Sequence, residues 1–212
     1  IIAFSCSFSR LVYEIWIKED VFEFDCLGFT LQYEMSYTNI LNMLDMSNIP
    51  LRSSDRTKDH PIVMMGGPCA YNPEPLYDIA DLFSLGEGEE VLNELLDLYK
   101  EYKGKSREEY LRAASKIEGI YVPSLYNVEY NDDNTIKSFE PKYEDVPKIV
   151  KKRIITNFDE NTYPDKLIVP YTEIVHDRIT LETFRGCTRG CRLCQAGMIY
   201  RPVREKKTST LV

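Results

Sequence analysis

The chain has 212 residues, 43% hydrophobic and 28% charged, with a formal net charge of −8 at pH 7. That length accommodates one large or two small domains with real cores, and the acidic balance argues against a broad nucleic-acid-binding surface. No apolar run approaches the ~20 residues of a membrane helix. The opening Ile1–Phe8 lacks the basic leader of a signal peptide, so six cysteines without an export signal predict a reducing cytoplasm.

Residues 11–17 suit a helix or a strand equally and stay unassigned. Phe24–Leu31 is a short apolar run of the kind a buried parallel strand shows. A helix is predicted from Ser36 to Met46, with Ile40, Leu41 and Leu44 at helical spacing and Ser36 as its cap. Pro61–Met65 and Asp81–Leu85 predict two further buried strands, ended by Gly66-Gly67-Pro68 and by Gly86-Glu87-Gly88. The second turn opens an amphipathic helix, Val91–Tyr102, whose early glutamates complement the helix dipole.

This rhythm is that of an α/β fold with a Rossmann-like, flavodoxin-like parallel sheet. Ligands of such sheets sit at the carboxyl ends of the strands, where glycines let backbone approach closely. Gly66, Gly67, Gly86, Glu87 and Gly88 are therefore candidate binding residues, although packing alone also produces glycine turns.

Ser106–Glu118 is a second helical stretch whose Ser106 and Glu109 match a capping box. The strands 127–130 and 135–139 flank Asn131-Asp-Asp-Asn134, a hairpin signal. Tyr121, Tyr126, Tyr130 and Tyr143 suit half-buried sheet positions better than a base-stacking platform. Residues 141–170, rich in proline and charge, read as a bridge between domains. Ile179–Phe184 alternates like a strand and leads into a run of cysteines.

Cys187, Cys191 and Cys194 stand in CxxxCxxC spacing, which places three thiolates on one short loop. A closed zinc site takes four protein ligands, so zinc would need His176, Cys69 or another donor. A disulfide would leave an odd thiol. Iron–sulfur clusters are usually held by four thiolates; three leave one iron open to an exogenous ligand. Around the cysteines, Arg185, Arg189, Arg192, Arg201, Arg204, Lys206 and Lys207 stand against Glu205 alone. They form either a solvated basic face or a set of cations that stabilises an anionic cluster.

Arg185-Gly-Cys-Thr-Arg-Gly-Cys-Arg-Leu-Cys-Gln-Ala-Gly197 resembles the cluster loop of the radical S-adenosylmethionine (SAM) superfamily. The resemblance extends to Val175–Arg178 and Met198–Glu205, which look like an uncharacterised subgroup with an N-terminal cobalamin-binding-type domain. It implies a 4Fe-4S cluster on Cys187, Cys191 and Cys194, with SAM chelated at the fourth iron and cleaved to a 5′-deoxyadenosyl radical. The implied enzyme is an oxidoreductase or transferase acting on an unknown substrate, with an electron donor such as flavodoxin or ferredoxin. Leu193 stands where the superfamily more often has an aromatic residue, and its backbone is expected against the SAM adenine.

Residues 66–75 and 80–89 resemble the second half of the cobalamin-binding domain, with Thr30 and Leu31 at its Ser-x-Leu-like turn. The hallmark Asp-x-His-x-x-Gly is missing; the histidines are His60, which reads as a surface or packing residue, and His176. The resemblance divides the chain into a cobalamin-binding-like Rossmann domain (1–104, N-terminally incomplete), a helix, hairpin and connecting region (105–178), and the first strand and cluster loop of a (β/α) barrel (179–212). More strands are then expected beyond Val212, and the chain alone is expected to be inactive. Two alternatives remain: a corrinoid- or nucleotide-binding module without catalysis, and a zinc-stabilised interaction protein.

Overall fold

Cys26, Leu27, Val63, Leu82 and Phe83 are fully shielded from solvent, and they place the centre of a six-stranded sheet in the core. The computed structural model describes residues 2–5, 10–13, 20–160, 172, 178 and 180–211. Its chain divides into two compact units, Ile1–Ile154 and Ile155–Val212.

In the first unit the elements are β1 (Ile2–Ser5), β2 (Arg10–Tyr13), β3 (Cys26–Thr30), α1 (Tyr37–Met46), β4 (Ile62–Gly66), β5 (Leu82–Ser84), α2 (Gly88–Tyr102), α3 (Arg107–Ala114), β6 (Ile120–Tyr121), β7 (Tyr126–Tyr130) and β8 (Ile136–Pro141). The sheet order is β2-β1-β3-β4-β5-β6. β3, β4 and β5 run parallel, with Leu27 beside Val63 and Met64 beside Leu82. These are the three apolar runs of the sequence; burial on both faces explains why they alternate so little.

One expectation needs correction. The sheet is mixed rather than parallel throughout, because β1 and β6 pair antiparallel with β3 and β5. The β4–β5 connection begins at the expected glycine turn and continues as two short 3-10 turns, Pro68–Tyr71 and Glu74–Leu76. Pro68, Pro73 and Pro75 each lack an amide donor and so prevent a continuous α-helix there. Of the unassigned residues 11–17, the first three belong to β2. The remaining four lie outside the described residues.

One buried carboxylate ties the loop before β4 to two strands and a helix. Asp81 Oδ2 accepts from Arg56 Nη1 (2.9 Å) and from the Val63 amide (2.7 Å). Both Asp81 oxygens also accept from Arg107, at the start of α3. Arg56 in turn donates to the carbonyls of Pro50 and Leu51, and Arg107 to those of His60 and Pro61. Arg56 and Asp81 are only 6% and 3% exposed, so pairing and hydrogen bonding must offset the cost of removing their charges from water.

The β7–β8 hairpin packs through its base. Tyr126 stacks on Phe139 with ring centroids 4.8 Å apart and touches Tyr121, itself stacked on Phe83. Tyr121 and Tyr126 are buried, and Tyr143 donates to Glu108 while lying under Arg112. The second unit is built on β9 (Phe184–Arg185) and β10 (Arg204–Glu205), paired antiparallel, with two single-turn helices, α4 (Ala196–Ile199) and α5 (Thr208–Leu211). Within the expected strand 179–184, Thr180, Leu181, Glu182 and Thr183 are not in a strand. Residue 179, the bridge at 161–170, and Val175, His176 and Asp177 lie outside the described residues.

Candidate functional site

At the carboxyl ends of β3, β4 and β5, under α2, lies a cavity of about 410 Å³. Thr30, Gly66, Gly67, Gly86 and Gly88 line it, all of them candidates from the sequence. Leu31 and Glu87 are not among its lining residues. The Leu31 amide donates to the Gly66 carbonyl (2.7 Å), and the Glu87 amide donates to the Arg153 carbonyl (3.1 Å). The sequence reading missed the apolar walls: Phe29, Met64 and Met65 from the sheet, and Leu92, Leu95 and Leu96 from α2. The amphipathic face of α2 was the available signal.

Two of the glycines answer to the chain itself. Gly67 has φ of 97°, and a Cβ there would sit 2.9 Å from the Leu31 carbonyl oxygen. Gly86 has φ of 109°, and a Cβ would overlap the backbone of Arg153. Residue 153 is pinned there because its amide donates to Leu85 and its carbonyl accepts from Glu87. Its guanidinium holds Glu90 and Glu94 of α2, each at 2.7 Å. Gly88, by contrast, has open space around the missing Cβ.

Glu89 is the one charged residue among those lining the cavity. Carboxylates at 87, 89 and 90 surround the start of α2, where a phosphate would otherwise find the positive end of the helix dipole. The cavity thus presents apolar walls, the hydroxyl residues Thr30 and Ser84, and one carboxylate, Glu89. His60 is absent from the lining; its Nδ1 accepts from the Thr57 amide (3.0 Å) and its ring meets Phe22 edge-on.

In the second unit, Gly186 opens the cysteine loop with φ of 101°, and a Cβ there would lie 2.7 Å from the Tyr200 carbonyl oxygen. The chain departs from β9 and returns at β10, so the three cysteines occupy a loop closed by its own two-stranded stem. Cys187 is half-buried and Cys191 and Cys194 are exposed; none of the described cysteines forms a disulfide. The Cys194 amide donates to the Cys191 carbonyl (3.2 Å), making a tight turn around Leu193, which is 99% exposed.

As a donor set, three accessible thiols on one loop suit an iron–sulfur cluster. As an arrangement, they are not yet a cage. Among the described residues no three His, Cys, Asp or Glu side chains are gathered closely enough to hold a metal ion. Cys69, weighed as a further donor, is buried beside Tyr37 in the first unit, and burial pushes its thiol up.

Five of the seven basic residues of this region, Arg185, Arg201, Arg204, Lys206 and Lys207, make side-chain contacts with other described residues of the chain. Arg185 is held by Glu182 through two hydrogen bonds (2.8 and 2.9 Å). Its guanidinium, that of Arg204 and the Lys206 ammonium lie 5.0, 5.5 and 5.2 Å from the centre of the Phe158 ring. Arg204 also donates to the Ile155 carbonyl, while the Lys207 amide and ammonium both reach Asp159. Arg201 donates to the Arg189 carbonyl. Phe158 and Asp159 sit in the proline- and charge-rich bridge, where nothing local in the sequence marks them.

A mixed α/β unit with a cavity at its strand ends, followed by a closed loop of three cysteines, defines a class of two-part chain. Residues 11–123 match the family described as radical SAM proteins, N-terminal. The chain belongs to that family. The uncharacterized protein MJ0966 of Methanocaldococcus jannaschii is 26% identical over 209 residues, which take in 95% of this chain and 36% of that protein. The chain therefore spans little more than a third of this curated relative's length. No solved structure matches it. Among the described residues no helix is long and apolar enough to cross a membrane.

Proposed function

We propose that the chain is part of a radical SAM enzyme, with Cys187, Cys191 and Cys194 as the protein ligands of a 4Fe-4S cluster. The observation that carries this reading is the donor set: three accessible thiols on one stem-closed loop, in a chain whose preceding residues belong to the radical SAM N-terminal family. The cluster, when bound, supplies the electron for reductive cleavage of SAM. Residues 187–195 contain little regular structure beyond one turn, so ligation gathers the thiols by ordering this loop. Metal binding and local folding are coupled in this way wherever the site does not exist in advance.

Each of the chain's own residues then has a task. Gly186 lets the loop leave β9 tightly, the β9–β10 stem fixes its two ends, and Leu193 offers backbone to the SAM adenine. Residues 1–104 form the cobalamin-binding-like domain, 105–178 the connecting region, and residues from 179 onward begin a (β/α) barrel. The reductant is a low-potential carrier such as flavodoxin or ferredoxin. The test is anaerobic incubation of the reduced, iron-loaded full-length protein with SAM. Release of 5′-deoxyadenosine is expected, with loss in each of Cys187→Ala, Cys191→Ala and Cys194→Ala; no release from the wild type contradicts the reading.

One observation favours a second role for the first unit. The cavity at the strand ends is lined by five sequence candidates and largely by apolar side chains. Its single lining carboxylate, Glu89, and lack of a lining cation suit the broad, mostly uncharged face of a corrinoid better than nucleotide phosphates. Without Asp-x-His-x-x-Gly, such a corrinoid would be held with no lower axial histidine from that motif. Titration with hydroxocobalamin and with ATP separates the cases: saturable binding of the corrinoid alone is expected, and preference for ATP contradicts it.

A further inference from the structure

We propose that Phe158 is a positioning residue for the cysteine loop, acting as a cation–π anchor for both strands of the loop's stem. The inference rests on the reading of that loop as the cluster site.

The residue is buried, 3% exposed, in a unit with few other buried apolar side chains among its described residues. Three cations from the stem lie within 6 Å of its ring centre: Arg185 from β9, Arg204 from β10, and Lys206 just beyond β10. That is the range in which a cation is attracted by the ring's quadrupole, and the attraction grows with desolvation. Arg185 immediately precedes the Gly186-Cys187 turn, and Arg204 is its partner in the ladder.

The neighbours of Phe158 hold the same strands. The Ile155 carbonyl accepts from Arg204 (3.0 Å), and Asp159 accepts the Lys207 amide (2.7 Å) and the Thr210 hydroxyl (3.2 Å). Across the stem the Lys206 amide donates to Thr183 (2.9 Å). A two-residue ladder is too short to hold a loop by its own hydrogen bonds. The segment 155–159 supplies what the ladder lacks: the ring attracts Arg204 and Lys206 and shares Arg185 with the Glu182 carboxylate. Arg185 and Arg204 are thereby set by the ring on either side of the loop's exit and return.

The ring's face, rather than its volume, is the functional quantity, and this separates positioning from packing. In the full-length protein, Phe158→Met keeps an apolar side chain but removes the π face, whereas Phe158→Tyr keeps both. Amide exchange over residues 184–187 and 203–206 is measured first on the metal-free protein, then iron retention after anaerobic reconstitution. Phe158→Met is expected to exchange roughly fivefold faster there, the scale set by losing one or two such contacts, and to retain less iron. Phe158→Tyr is expected to match the wild type in both. Equal behaviour of Phe158→Met and the wild type overturns the proposal, and so does equal damage from Met and Tyr. If the wild type itself takes up no iron, the cluster reading fails, while the exchange data still decide whether the ring anchors the stem.

Discussion

Asp81 shows how one side chain decides the sequence-to-structure link in this chain. It reads in the sequence as the start of a strand, yet its carboxylate carries Arg56, Arg107 and the Val63 amide at once. Removing it leaves two guanidiniums near a buried position without their acceptor. Asp81→Ala is expected to lower stability by about 3–5 kcal/mol, the range for losing one member of a buried ion pair; urea unfolding followed by circular dichroism measures it, and an unchanged midpoint contradicts the role. Gly86 makes the complementary point about backbone. Its φ of 109° and the adjoining Arg153 backbone leave no room for a methyl group. Gly86→Ala is expected to cost about 1–3 kcal/mol, with no such loss for Gly88→Ala, where the space is open.

Among the elements, α3 is fixed at both ends by charge. Ser106 and Glu109 form the capping box that the sequence pattern indicates. Near its other end Arg112 hydrogen-bonds Asp145 (2.7 Å) and, with Lys116, pulls that carboxyl down to about 2. A carboxylate whose folded pKa lies below its unfolded value, about 3.9, adds stability that is present above the unfolded pKa and lost as pH falls through the folded one. Asp145→Asn is therefore expected to unfold more readily than wild type at pH 7. The gap should close between about pH 4 and pH 2, and a gap independent of pH would contradict the linkage. The parallel strands, α1, α2 and the hairpin were legible because each carries its own local signal: unbroken apolar runs such as residues 62–65, Ile40 and Leu44 at helical spacing, or Asn131–Asn134 between the hairpin strands. The antiparallel edges were not. Ile120–Tyr121 is two residues long and pairs because Gly119 brings it against Leu85, a tertiary event without a local pattern. In the candidate site, the cysteines and glycines were readable as types at a spacing. What Gly86 makes room for, and what Arg185 leans on, are contacts with residues 153 and 158, distant in sequence.

For the whole molecule, family membership rests on residues 11–123, while the proposed chemistry rests on three cysteines outside that span. The two units, divided after Ile154, thus carry different parts of the account, and the cysteines carry the greater weight. The most direct test is the iron content of the full-length protein reconstituted anaerobically, compared with Cys191→Ala. The account predicts about four irons per wild-type chain in a thiolate-bound cluster and almost none in the variant. A Cys191→Ala protein that keeps its iron would contradict it.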